Sequence, residues 1–235
     1  MGTEHIAKQF DVELEAVRAK VLEMGGLVEE QIVRAVDALH KGDLELADQV
    51  IAEDHRVNGL EVSIDEDCNH IIARRQPAAS DLRLILAIIK TITDLERIGD
   101  EAEKIARMAL LVHGQDRLHY PLALDLRHAA QMAVDMLNGT LDAFARLNVN
   151  AATQILHADK EVDEAFRGVL RQLITFMMED PRTISSAIEI LFAAKAIERI
   201  GDHAKNIAEY VIFLVKGKDV RHISVEEVER TVTAS

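Results

Sequence analysis

From Phe10 onward, apolar residues recur at alternating steps of four and three: Leu14, Val17, Val21, Met24, Val28, Ile32, Ala35 and Leu39. This spacing predicts one long amphipathic helix whose apolar stripe must be covered by neighbours. His40-Lys41-Gly42-Asp43 interrupts it, with a glycine suited to a helix end and an aspartate suited to the next N-cap. A second helix is expected from about Leu44 to Arg75, ending at Gln76-Pro77 because a residue before proline is pushed out of the helical region. It carries Asp54, Asn58, Glu61 and Asp65 on one stripe, which taken alone reads as a solvated face. Ser80-Asp81 is expected to cap a third helix, Leu82 to Val112. Its opening, LRLILAIIKTI, is apolar nearly all round, the pattern of a helix buried among others. Ile85, Ile89 and Ile92 share a stripe that continues into Glu96, Asp100 and Glu103, so these carboxylates extend an inward face.

After His113-Gly114-Gln115-Asp116 and a short link with Tyr120-Pro121, the pattern starts again. Leu124 to Leu147 is amphipathic, Asn148 takes the place of Asp43, and Ala151 to Glu179 forms a long helix ended by Asp180-Pro181. Ile184 to Val215 repeats the buried helix, with Ile184, Ala187, Leu191 and Ala194 leading into Glu198 and Asp202. Matched features lie 102 to 105 residues apart, as in Pro77 and Pro181, Asp54 and Asp159, Glu96 and Glu198. The expected fold is therefore all-α, two tandem three-helix bundles made by internal duplication. The expected units are residues 1–115 and 118–217, followed by a charged tail, 218–235, with one short helix at Val225 to Val232.

The closest correspondence between the halves is ERIGDEAEKIA, Glu96 to Ala106, against ERIGDHAKNIA, Glu198 to Ala208. Each copy sets two carboxylates four residues apart on one helix face. Each also places a glycine inside the helix, at about 1 kcal/mol relative to alanine. On the middle helices, Asp54 and Asn58 align with Asp159 and Asp163. If antiparallel neighbours bring these pairs together, four oxygen-bearing side chains converge in each half: Asp54, Asn58, Glu96 and Asp100, then Asp159, Asp163, Glu198 and Asp202. Such convergence needs a cation or protons to offset repulsion. An all-oxygen set suits magnesium, manganese, calcium or iron rather than copper or structural zinc. The competing reading is simple pairing of Glu96 and Asp100 with Arg97 or Lys104.

Composition narrows the function classes. Aromatic residues make up only 3% and tryptophan is absent, as expected of helices packed through aliphatic side chains. The net charge of −14 disfavours direct nucleic-acid binding and suits cations or basic partner surfaces. Cys68 is the only cysteine, so no intramolecular disulfide can form, and its helical setting suggests inert packing. The N-terminus shows no signal-peptide pattern and Leu84–Ile89 is too short an apolar run to span a bilayer, so a soluble cytoplasmic protein is expected. Glu-x-x-His pairs of di-iron bundles are missing, as are phosphate-cradling loops, dinucleotide glycine fingerprints and nucleophile elbows. The remaining histidines, including His5, His55, His70, His119 and His157, are scattered and read as surface or satisfied residues.

With both Glu-Arg-Ile-Gly-Asp copies in view, the chain resembles the PhoU family over essentially its full length. Met24-Gly25-Gly26, the run from Arg75 to Arg83, Met177-Met178-Glu179-Asp180 and Lys216-Gly217 also carry the resemblance. It implies an all-helical cytoplasmic protein, often a homodimer, without enzymatic activity. The implied role is negative regulation of the phosphate-starvation response, modulating phosphate uptake. The implied partners are a sensor histidine kinase and the ATPase subunit of the high-affinity phosphate ABC transporter, with peripheral membrane association only through them. It also implies metal ligands (iron, manganese or magnesium) at Asp54, Glu96 and Asp100, and at Asp159, Asp163, Glu198 and Asp202. Asn58 departs from that pattern where the second half has Asp163, so the first site is expected to bind a cation more weakly. A metal-dependent enzyme or metal-storage bundle is the alternative reading of the same carboxylates.

Overall fold

The computed structural model describes residues 2–114 and 123–233. Among them are eight α-helices and no strand. The first repeat comprises α1 (Gly2–Lys41), α2 (Leu44–Glu53), α3 (His55–Arg75) and α4 (Ala79–His113). The second comprises α5 (Ala123–Arg146), α6 (Val149–Glu179) and α7 (Ile184–Lys216), with α8 (Val225–Thr233) in the tail. Gln115 and Asp116, the Tyr120-Pro121 link with His119, the expected change of unit between 115 and 118, and Ser235 lie outside the described residues, as does the side chain of His5.

Local chemistry explains most element ends. Asp43 accepts from the Leu46 amide and Asn148 from the Asn150 and Ala151 amides, so both expected N-caps form. Gly42 and Leu147 both take positive φ at the preceding helix ends. In each case the next amide returns to a carbonyl five residues back, Asp43 to Ala38 and Asn148 to Ala143. Gln76 leaves α3 through the left-handed region, φ 47°, its amide bonded to the Ile72 carbonyl.

Three expectations are corrected. The helix from Leu44 to Arg75 is divided at Asp54, whose carbonyl takes the Val57 amide at 3.0 Å, a tighter three-residue step within the ladder. The third helix begins at Ala79, capped by Ala78 without a side-chain bond, so Ser80 and Asp81 sit inside its first turn. The openings of α4 and α7 are not buried all round, because Leu82, Leu86, Ile184, Ile188 and Phe192 are exposed.

The α1 stripe from Leu14 to Leu39 is buried as its period predicts, and one continuous core joins both repeats. α4 and α7 run antiparallel along the junction: Arg199 meets Glu101 at 2.9 Å and Asn206 donates to Asp94 at 3.1 Å. His203 Nδ1 lies 2.7 Å from the same Asp94 oxygen, and Lys90 Nζ stands 5.5 Å from the Tyr210 ring centre. The polar clamp ties the repeats together near their duplicated motifs. The tail is docked rather than loose, since Val220 and Val228 enter the core and Ser224 and Glu227 form a reciprocal N-terminal box.

Candidate cation site and family

The Asp54–Asn58–Glu61 stripe of the middle helix turns toward α4 and not outward. Asp54 is 8% exposed and Asn58 and Glu61 are half-buried. Asn58 Nδ2 donates to Asp54 Oδ2 at 2.9 Å. From α4, Glu96 and Asp100 present carboxyls to the same region. Burial pushes the Glu96 carboxyl up, reinforced by the charges of Asp100, Glu61 and Asp54. Asp100 is raised by burial and then by Asp54. Glu61 is likewise raised by burial, then by Asp65, with Asp100 adding to it. These mutual effects bring Asp54, Glu61, Glu96 and Asp100 into one electrostatic group, with Asn58 bonded to it. Arg97 stays at its margin, 3.6 Å from Glu96 and 4.0 Å from Asp100, while Lys104 pairs with Glu101 instead. Simple ion pairing therefore leaves most of this charge uncompensated.

Gly99 lies at the centre of this arrangement. A Cβ placed there would stand 3.3 Å from Gln31 Oε1 and 3.5 Å from Asp54 Oδ1. The glycine thus keeps open a space bounded by two oxygens and by the Val57 methyl, also at 3.5 Å. Asp54 Oδ1, Asn58 Oδ1 and both polar atoms of Gln31 are buried without a hydrogen-bond partner among the described residues. Buried acceptors without donors are costly, by about 1–3 kcal/mol each, and a hard cation is one group that satisfies several at once. Among the described residues no three His, Cys, Asp or Glu side chains are grouped so as to hold a metal ion. The oxygens around Gly99 include the amides of Asn58 and Gln31, which lie outside that residue set but are suitable hard donors. In donor chemistry the first repeat fits the expected ions.

In the second repeat, Asp159 is buried and Asp163 and Glu198 are half-buried, while Asp202, on the next turn of α7, is exposed. Asp202 is raised by the desolvation that its neighbours impose, then by Glu198 and Asp159, with Asp163 a smaller contributor. The four expected residues are again one electrostatic group, but two lysines enter it. Lys205 Nζ donates to Asp159 Oδ2 at 2.6 Å, and Lys195 bonds Glu198 while standing 5.4 Å from the Phe166 ring centre. A Cβ on Gly201 would meet Val162 and the Met136 sulfur, so the space beside this glycine is apolar. The charge inventory differs between the halves: Glu61 adds to the first repeat a carboxylate that Asn58 lacks, and in the second Lys205 and Lys195 offset part of the charge of the four carboxylates.

Two participants escaped the sequence reading. Glu61 lies on the polar stripe, whose period alone reads as a solvated face. Gln31 could have been found from its position, because it interrupts the apolar α1 face between Val28 and Ala35, where the other repeat has Met136. Cys68 is inert as expected, its thiol pushed up to about 12 by burial.

The fold and site define a class: a duplicated helical bundle with carboxylate groups beside a glycine on the inner helix of each repeat. The PhoU domain pattern matches residues 21–109 and 126–211, and the chain belongs to the PhoU family. It is 52% identical over 231 residues to the phosphate-specific transport system accessory protein PhoU of Serratia marcescens, covering 98% of this chain and 94% of that protein. The crystal structure of PhoU from Pseudomonas aeruginosa superposes with a TM-score of 0.85 at 50% identity, over 89% of this chain and 100% of that one. The phosphate transport system regulatory protein PhoU from Streptococcus pneumoniae gives 0.83 at 29% identity, over 90% and 99% respectively. These relatives carry accessory and regulatory names rather than enzymatic ones, and among the described residues no helix is long and apolar enough to cross a membrane.

Proposed function

We propose that this protein is the regulatory accessory subunit of a phosphate-specific transport system. It restrains the phosphate-starvation response by docking on the sensor histidine kinase and on the transporter's ATPase subunit, from the cytoplasm and as a homodimer. The observation that carries this reading is the end-to-end likeness to PhoU accessory proteins, at 52% identity over 98% of the chain. The net charge of −14 suits docking on basic protein surfaces. Cations (iron, manganese or magnesium) at Asp54, Glu96 and Asp100, and at Asp159, Asp163, Glu198 and Asp202, act as structural support rather than in catalysis. Within this reading the first repeat is the stronger cation site, with Asn58 and Glu61 contributing, because no lysine neutralises it. A bound cation supplies positive charge, and the residues themselves then hold α3 against α4 without mutual repulsion.

The test is deletion of the gene in its own host with a reporter of the phosphate-starvation response, together with capture of the kinase and the ATPase subunit by the purified full chain. The reading expects derepression in high phosphate, restored by the wild-type gene, and capture of both partners. Normal repression in the deletion strain, or capture of neither partner, would overturn it.

A further inference from the structure

We propose that Gln31 of α1 is an oxygen donor of the first-repeat cation site and makes that site different in kind from its counterpart. The inference rests on the cation reading above but concerns a residue outside the duplicated motif, on a helix that the motif does not include. Gln31 is only 5% exposed, and both its amide oxygen and its amide nitrogen lack hydrogen-bond partners among the described residues. An amide buried in that way is costly, and an apolar residue of similar length would avoid the cost. The second repeat has that apolar residue: Met136 is 2% exposed at the matching position and lies beside Gly201 as Gln31 lies beside Gly99.

The oxygen is aimed at a definite place. Gln31 Oε1 and Asp54 Oδ1 both border the space that Gly99 leaves, and Asn58 Oδ1 is a further buried oxygen without a donor. An amide oxygen, a carboxylate oxygen and a second amide oxygen, with Glu96 and Asp100 nearby, form a set in which acceptors outnumber donors, the Asn58 amide nitrogen being already spent on Asp54. That is the chemistry of a hard divalent cation. An amide adds a strong dipole without adding charge, so it strengthens coordination while limiting repulsion among the carboxylates already present. With Met136 in its place the second repeat cannot offer this ligand, and there Lys205 and Lys195 supply positive charge instead.

Full-length parent, Gln31→Met and Gln31→Glu, each stripped with chelator, would be titrated with Mn²⁺ alone, reading free ion by electron paramagnetic resonance. Metal-free melting curves would be recorded beside them. The expectation for Gln31→Met is at least about tenfold weaker binding at the tighter site, a loss in the range seen when metal-site partners are removed. The weaker site should be unchanged and the metal-free melting temperature higher. Gln31→Glu should bind more tightly than Gln31→Met. Parental affinity in Gln31→Met would overturn the proposal, and with a lower melting temperature it would make Gln31 a structural residue holding Asp54 or a water. No Mn²⁺ bound by the parent would overturn it together with the cation reading, while leaving the transporter-accessory reading to its own test.

Discussion

In the first repeat, Glu61, Thr93 and Glu103 occupy the positions that Phe166, Lys195 and Lys205 hold in the second. Three of the four motif positions are identical and the fourth sets Asn58 against Asp163, yet their surroundings handle the charge differently. In the second repeat Lys205 reaches Asp159 at 2.6 Å, while in the first Glu103 turns away to Arg107 at 2.6 Å and Asp54 keeps one oxygen without a partner. Duplication has preserved the placement of carboxylates by helix geometry, while the neighbours that decide what those carboxylates need have diverged. The second group is partly paired by Lys205 and Lys195, while the first has Arg97 at its margin among the described residues.

The most direct way to break this contrast is Lys205→Glu, which gives the second repeat the residue the first repeat has at that position. It removes the only cation bonded, among the described residues, to Asp159, a buried carboxylate. Because the lysine side chain is about one-third exposed, the cost should fall between that of a surface pair and that of a buried one, about 2 kcal/mol. Urea denaturation of the chelator-treated variant should show this loss. Millimolar Mn²⁺ should recover much of it, since an ion that binds only the folded state stabilises by mass action. Loss without recovery would mean that the second repeat cannot be converted into a cation site by charge alone.

A smaller effect should come from Glu209, three to four residues beyond the pair of Lys205 and Asn206 on α7. Burial pushes its carboxyl up to about 7, and Asp219 adds to this against Lys205 and Arg221. The first repeat has Arg107 at the matching position, bonded to Glu103. A carboxyl with a raised folded-state pKa binds protons more tightly folded than unfolded. Its contribution is therefore most favourable below the ordinary value of 4.5, and is lost as pH rises toward 7. Glu209→Gln should consequently stabilise by about 1–2 kcal/mol at pH 8 and leave stability at pH 4.5 nearly unchanged. Denaturant midpoints at both pH values would check it, and an equal gain at both would exclude titration as the cause.

How far such differences were legible in the sequence depends on the distance over which they act. Local rules placed Asp43 and Asn148 as caps, and the repeat spacing aligned Asp54 with Asp159 and Glu96 with Glu198. Those features need only the chain within a few residues or a self-comparison. The repeat turns Asp54 and Asn58 toward the inner helix, but Glu61 has no carboxylate counterpart in the second half, and a polar stripe has the same period whether it meets water or another polar helix. The break at Asp54 left no signal, since no glycine or proline marks it. The period of α7 places Ile184 inward, yet at the first turn of the helix it is exposed. The α4–α7 clamp joins Asp94 to His203 and Asn206 across more than a hundred residues. Neither repeat contains that information separately, because Asp94 and His203 correspond to Ala196 and Glu101 in the other half.

The smallest expected effect separates the repeats at a turn instead of a site. Gly42 has φ 68° and Leu147 has φ 53° at equivalent helix ends, and each is followed by an amide that closes on a carbonyl five residues back. Leucine pays a steric penalty in the left-handed region that glycine does not, about 1 kcal/mol. Glycine loses more chain entropy on folding, and the partly covered Leu147 side chain contributes some apolar burial, so the two effects offset most of that gain. Leu147→Gly should stabilise by only about 0.5 kcal/mol, measured as a small rise in denaturation midpoint. The reverse change in the first repeat is not symmetric. At Gly42 a Cβ would stand 3.0 Å from the His113 ring, whose Nε2 lies 2.7 Å from the Leu39 carbonyl. Gly42→Leu should therefore combine the left-handed penalty with displacement of His113 and cost about 2 kcal/mol. Equal and opposite changes at the two positions would show that only the backbone matters there, and that the α1 and α4 ends are not locked together by His113.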